Sequence, residues 1–115
     1  MKPSSAKAKG ARCSKEAKAM LHKFAPELQD ADIWTTPSGV PGVDVNFSPL
    51  ARERYPFQIE CKNVEKIAIW ESIKQCEGRR KPGQFPLLIF KRNNTDLYAC
   101  IKLEEFLRMM GYGKD

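Results

Sequence analysis

Two carboxylates and a lysine lie on the polar faces of two predicted strands. The segment 57–64 alternates apolar and polar residues, so Glu60 and Lys62 share its polar face. The segment 43–47 alternates in the same way, and its polar face carries Asp44. If the two strands are neighbours with their apolar faces on one core, the three side chains project together from the other side of the sheet.

Such a trio could hydrolyse a phosphodiester bond. Carboxylate oxygens are the hard ligands that Mg²⁺ prefers, and Mn²⁺ is expected to substitute for it. The cation would polarise the phosphate and ease deprotonation of a water. The ammonium of Lys62 could orient that water or offset charge in the transition state. The alternative is a solvated sheet face with an ordinary Glu–Lys pair, and alternation by itself favours that alternative.

The elements that must position these residues follow the order αβββαββα. Helical and alternating patterns, turn residues and caps define them. The predicted segments are a helix after an N-cap at Ser14, strands at 33–36, 43–47 and 57–64, a loop at 48–56, a helix at 69–78, strands at 86–90 and 97–101, and a helix at 103–110. This order predicts an α/β fold with a central mixed sheet of about five strands flanked by helices.

The positive charge is concentrated at the N-terminus. Residues 1–18 hold six lysines and arginines against one acid, and the 115-residue chain carries a net charge of +6. We predict a flexible basic arm over residues 1–12 and one domain over 13–115. Such an arm suits a polyanion, because lysines near phosphates release counterions. A solvated tail is the alternative.

Composition excludes several other classes of protein. No apolar run approaches the ~20 residues of a membrane span. No secretory signal pattern opens the chain. The four cysteines form no CxxC pair and there is one histidine, which argues against a zinc site. Free thiols in a reducing cytoplasm are expected.

The motif Val43-Asp44 followed by Ile59-Glu60-Cys61-Lys62 resembles the PD-(D/E)xK nuclease superfamily. Pro41 is displaced, and Val43 stands at the usual proline position. The resemblance implies a restriction-endonuclease-like fold and a metal-dependent endodeoxyribonuclease. It implies metal binding by Asp44, Glu60 and the backbone carbonyl of Cys61.

Further residues narrow the resemblance. The chain is similar to the archaeal and phage Holliday junction resolvases in three segments. These are the motif from Ile59 to Asn63, the predicted helix that carries Gln75, and the apolar run 86–90. That similarity implies branched DNA as substrate, a homodimer, and the cytoplasm of a bacterial or phage-infected host cell. Glu16 stands where many of these nucleases carry an additional acid, and Gln75 would hold Lys62 or a phosphate. The alternatives are a favourable acid at a helix start for Glu16 and a solvated position for Gln75.

Basic clusters at the ends of predicted elements would contact DNA phosphates. The predicted contacts are Lys7, Lys9, Arg12, Arg79, Arg80, Lys81, Lys91 and Arg92. Two other functions stay open at this point. One is a different nuclease of the same fold, such as a nicking, repair or restriction-like enzyme, and the other is a catalytically silent nucleic-acid-binding module.

Overall fold

The computed structural model describes residues 3–111 and 113, with side chains from Lys7 onward. Its sheet has five strands in the order β1-β2-β3-β4-β5, with β3 and β4 parallel and the other neighbours antiparallel. The strands are β1 Ile33–Thr35, β2 Val45–Phe47, β3 Phe57–Asn63, β4 Phe85–Lys91 and β5 Tyr98–Cys100. The helices are α1 Pro3–Phe24, α2 Pro49–Arg54, α3 Ile69–Gly78 and α4 Leu103–Met109, with a 3₁₀ turn at Asp30–Asp32. The predicted α/β fold with a mixed five-stranded sheet is confirmed.

The central strand β3 is covered on both faces. Ile59 is fully buried on the face that packs against α1, in one core with Cys13 and Val45. On the opposite face Gln58 is also buried, and its Nε2 donates to the backbone carbonyl of Cys76 in α3 at 2.9 Å. The alternation predicted the strand correctly, but the polar face that it indicated lies beneath a helix.

Helix α1 begins much earlier than the sequence predicted. It starts at Pro3, so the N-cap at Ser14 is wrong, and residues 3–12 of the predicted flexible arm are helical. Residues 1 and 2 of that arm lie outside the described residues. Alanine and lysine favour helix, and Gly10 costs only about 1 kcal/mol inside one. The backbone carbonyl of Lys9 accepts a hydrogen bond from Asn63 Nδ2 at 3.2 Å, which joins this segment to the end of β3.

A short helix replaces the loop predicted between β2 and β3. The Ser48 side chain accepts a hydrogen bond from the backbone N–H of Ala51 at 3.1 Å, and Pro49 occupies the first helical turn. Serine at the N-cap followed by proline is a standard helix start. The prediction of a loop throughout 48–56 was therefore wrong for residues 49–54.

The helices at the two ends of the chain differ in how they are attached. Helix α1 lies along the sheet, whereas α4 is tied to the rest of the domain by an ion pair between its buried Glu105 and Arg80. Within the described part of the chain, no helix is both long and apolar enough to cross a membrane.

Candidate active site

Asp44 lies opposite Glu60 at the point where β2 begins. Its backbone N–H donates to the Ile59 carbonyl at 3.0 Å, and its carbonyl accepts from the Thr36 N–H at 3.1 Å. The antiparallel register pairs Val45 with Ile59, so the preceding residue, Asp44, faces Glu60. The strand itself starts at Val45 rather than at Val43. The two carboxylates are therefore brought together on one face, as the sequence predicted.

The backbone of residue 61 contributes to the same place. Asp44 Oδ2 accepts a hydrogen bond from the Cys61 N–H at 2.6 Å. In an extended strand the N–H and C=O of one residue point to the same edge, so the Cys61 carbonyl is directed to the Asp44 side, beyond the last β2–β3 pair. The thiol points to the opposite face, where its hydrogen bond with Cys13 and its burial raise the pKa of Cys61. Residue 61 can therefore offer a neutral carbonyl oxygen to the site, while its sulfur belongs to the core.

Glu60 is the buried member of the carboxylate pair. Its side chain is 8% exposed. Burial, followed by the adjacent Asp44 carboxylate, raises the pKa of Glu60 from 4.5 to about 7, although Arg79 and Lys62 oppose the shift. Its Oε1 atom is buried without a hydrogen-bond partner. A carboxylate buried in this way needs a positive charge beside it in order to ionise.

Arg79 sits against this oxygen without satisfying it. Its Nε lies 3.2 Å from Glu60 Oε1, which is an ion-pair distance without hydrogen-bond alignment. Its Nη1 donates to the carbonyl of Gly42 at 2.7 Å. The sequence predicted Arg79 as a DNA contact and gave no signal of this long-range pairing. Its guanidinium instead connects the end of α3 to the loop before Asp44.

Lys62 belongs to the site electrostatically. It follows Glu60 by two residues on the same face of β3, it is half-buried, and its charge lowers the pKa of Glu60. The sequence motif thus places two acids and one ammonium group in one electrostatic environment.

Two other predicted site residues do not contact the carboxylate pair. Glu16 is half-exposed on α1, and its carboxylate is paired with Lys91 Nζ at 3.1 Å. Gln75 is exposed on α3, and its side chain makes no hydrogen bond within the described residues. Their roles in the site stay predictions drawn from the resemblance.

The eight predicted DNA contacts fall into two groups. Lys9 is only 5% exposed and its ammonium is buried without a hydrogen-bond partner. Three others form ion pairs: Arg79 with Glu60, Arg80 with Glu105, and Lys91 with Glu16. The other four, which are exposed and form no ion pair within the described residues, are Lys7, Arg12, Lys81 and Arg92. Lys9, predicted to contact DNA from a flexible arm, is instead a buried residue of α1.

The residues present fit a magnesium ion better than a metal that needs a dense ligand cluster. No group of three or more His, Cys, Asp or Glu side chains suited to a metal occurs within residues 3–111 and 113. Mg²⁺ keeps several waters and is commonly held by one or two carboxylates. Asp44, Glu60 and the Cys61 carbonyl supply that kind of oxygen set, and a cation at Glu60 Oε1 would take the place of the Arg79 guanidinium.

Comparisons with known proteins identified no relative of this chain. No family model, no curated protein and no solved structure matches the chain. The chemical interpretation therefore depends on the geometry of Asp44, Glu60 and Lys62.

Proposed function

We propose that this protein is a magnesium-dependent DNA endonuclease that hydrolyses phosphodiester bonds, with Asp44, Glu60 and Lys62 as its active site. The observation that carries the proposal is the carboxylate pair itself. Glu60 is buried beside Asp44, and its Oε1 atom accepts no hydrogen bond although Arg79 Nε lies 3.2 Å away. A cation between two adjacent carboxylates would offset their mutual repulsion and allow both to ionise.

Each residue has a distinct task in this proposal. Asp44, Glu60 and the carbonyl of Cys61 would hold the cation, which when bound would polarise a phosphate oxygen and lower the cost of deprotonating water. Lys62 would orient the attacking water or offset the negative charge that develops on the phosphate. Because Asp44 also bonds the backbone of Cys61, its position is fixed before substrate arrives.

Branched DNA is the substrate that the resemblance to junction resolvases supports. Those enzymes cut two strands symmetrically, so we propose a homodimer, acting in the cytoplasm of a bacterial or phage-infected cell, within a restriction-endonuclease-like fold. The exposed cations would contact phosphates, which position DNA without reading its sequence.

One observation favours a second candidate, a catalytically silent nucleic-acid-binding module. The guanidinium of Arg79 already lies at ion-pair distance from Glu60. If that ion pair is permanent, the pair of carboxylates is structural and has no capacity for a metal. The two functions differ in cation binding: a nuclease would bind a divalent cation at the carboxylate pair, and a silent module would not.

Mn²⁺ is expected to stabilise the wild-type protein against unfolding and to lose this effect in Asp44→Asn. A ligand at 100 times its Kd stabilises a protein by about 2.7 kcal/mol. Asparagine keeps the oxygen that accepts the Cys61 N–H, so the variant should fold. Denaturant unfolding with Mn²⁺ and with EDTA measures the effect, and Asp96→Asn, an exposed position, is the matched control. Equal stabilisation of all three proteins would place the cation elsewhere.

Sedimentation and a DNA panel test the substrate assignment. We expect a dimer in solution and paired incisions at symmetric positions on opposing strands of a four-way junction, because two sites related by a two-fold axis match its pseudo-symmetry. A monomer that cuts linear duplex as readily as junctions would contradict the resolvase assignment and leave a nuclease of another kind.

A further inference from the structure

A small groove lies at the carboxyl ends of β3 and β4. Its volume is about 270 Å³. Aromatic rings of Phe90 and Tyr98 line it together with Lys91, Arg92, Thr95 and Glu65. The volume is just below the range of roughly 300–1,000 Å³ that is typical of small-molecule sites, so the groove suits a single flat ring.

The groove is next to Lys62. Residues paired across a sheet present their side chains on the same face, and the register pairs Lys62 with Phe90 and Phe90 with Tyr98. Neighbouring strands are about 4.8 Å apart. Phe90 therefore lies one strand from the lysine of the proposed active site, and Tyr98 lies two strands, roughly 10 Å, from it.

The aromatic side of the groove is open. Tyr98 is 60% exposed on the three-residue edge strand β5. Its ring centroid is 6.3 Å from that of Phe90, with the rings inclined at 33°. An exposed ring supported by a second ring is a surface on which a planar group can stack.

The charge of the groove suits a phosphate attached to that planar group. Arg92 is exposed and forms no ion pair within the described part of the chain, and Lys91 stands beside it, paired with Glu16. The one acid, Glu65, is engaged by the backbone N–H of Asn93 at 2.7 Å. The groove thus combines a stacking surface with an available guanidinium.

We propose that this groove binds one unpaired nucleobase of the DNA substrate, with Tyr98 stacking on the base and Arg92 contacting its phosphate. The proposal rests on the nuclease function and narrows its substrate class. A base within a duplex is covered by its neighbours, so only a nucleotide at a branch, bulge or single strand can offer its face. Recognition of such a nucleotide would place an adjoining phosphate near Lys62.

The test compares DNA with and without the base. The probes are two duplexes with one extra nucleotide, carrying either a thymine or an abasic sugar, and a fully paired duplex. Binding is measured by fluorescence anisotropy in EDTA for the wild type, Tyr98→Ala, Tyr98→Phe and, as an exposed aromatic outside the groove, Trp70→Ala. Tyr98→Ala should weaken binding of the thymine probe roughly tenfold and leave the other two probes unchanged. Tyr98→Phe and Trp70→Ala should bind like the wild type.

Two results would overturn the proposal. One is equal weakening of all three probes by Tyr98→Ala, and the other is no weakening of the thymine probe. Because binding is measured without divalent cation, failure of the nuclease function is read separately, from cleavage of the same probes by the wild type in Mg²⁺. If the wild type cleaves DNA but Tyr98→Ala binds all three probes like the wild type, the base-binding site is disproved and the nuclease function stands. If Tyr98→Ala weakens binding of the thymine probe alone but the wild type cleaves no probe, the base-binding site is supported and the nuclease function is disproved.

Discussion

Replacing Glu60 by glutamine is expected to reduce Mg²⁺-dependent cleavage of DNA by at least about 100-fold, while the protein stays folded and still binds DNA. Changes to groups that merely support metal ligands cost about 10- to 100-fold, and Glu60 is proposed as a ligand itself. Glutamine has nearly the same volume, so no core cavity opens. The measurement is the single-turnover cleavage rate at saturating protein.

The matched control for this variant is Glu53→Gln. Glu53 is an exposed residue of α2, and its replacement removes the same charge from the surface. Wild-type rates are expected for it. A Glu60→Gln protein that cuts as fast as Glu53→Gln would remove Glu60 from the active site.

The stability of the metal-free protein is expected to fall, relative to Glu60→Gln, as pH rises from 4 to 8. The pKa of Glu60 is about 7 in the folded protein against an ordinary value of 4.5. Between these values the folded state holds a proton that the unfolded state has released, so folding loses stability as pH rises. At roughly 1.4 kcal/mol per pKa unit, the loss is about 3 kcal/mol and is complete above pH 7.

Denaturant unfolding of both proteins across this pH range in EDTA measures the effect. The difference between variant and wild type should grow by about 3 kcal/mol, whereas Glu53→Gln should follow the wild type. Added Mg²⁺ should bind more tightly as pH rises through 7, because it competes with the proton on Glu60. A pH-independent difference would show that burial does not perturb this carboxyl.

Local patterns predicted most of the sheet. Alternation over 57–64 defined β3, and the short apolar run at 86–90 defined β4, because these strands have strong patterns of their own. The errors in predicted secondary structure arose where one sequence signal is compatible with two structures. The segment 48–56 was predicted as a loop although Ser48 and Pro49 also form a helix start, and residues 1–12 were predicted as a flexible arm although Lys9 is buried in α1.

The sequence predicted only the part of the site that the pairing of β2 with β3 determines. Asp44 and Glu60 meet because adjacent antiparallel strands with alternating side chains leave little choice of register. The position of Arg79 against Glu60 depends on how α3 ends relative to the Gly42 loop, which no local pattern encodes. The raised pKa of Glu60 has the same origin, because it depends on burial by α3 and not on the E-x-K spacing.

The most direct test of the central proposal is cleavage of a DNA panel by the wild type in Mg²⁺ and in EDTA, beside the double variant Asp44→Asn/Glu60→Gln purified in the same way. The panel contains junction, flap, nicked and fully paired DNAs. The proposal predicts that the wild type cuts at least one branched DNA in Mg²⁺ and none in EDTA, and that the double variant cuts none. Absence of wild-type cleavage on every DNA, or equal cleavage by the double variant, would contradict it.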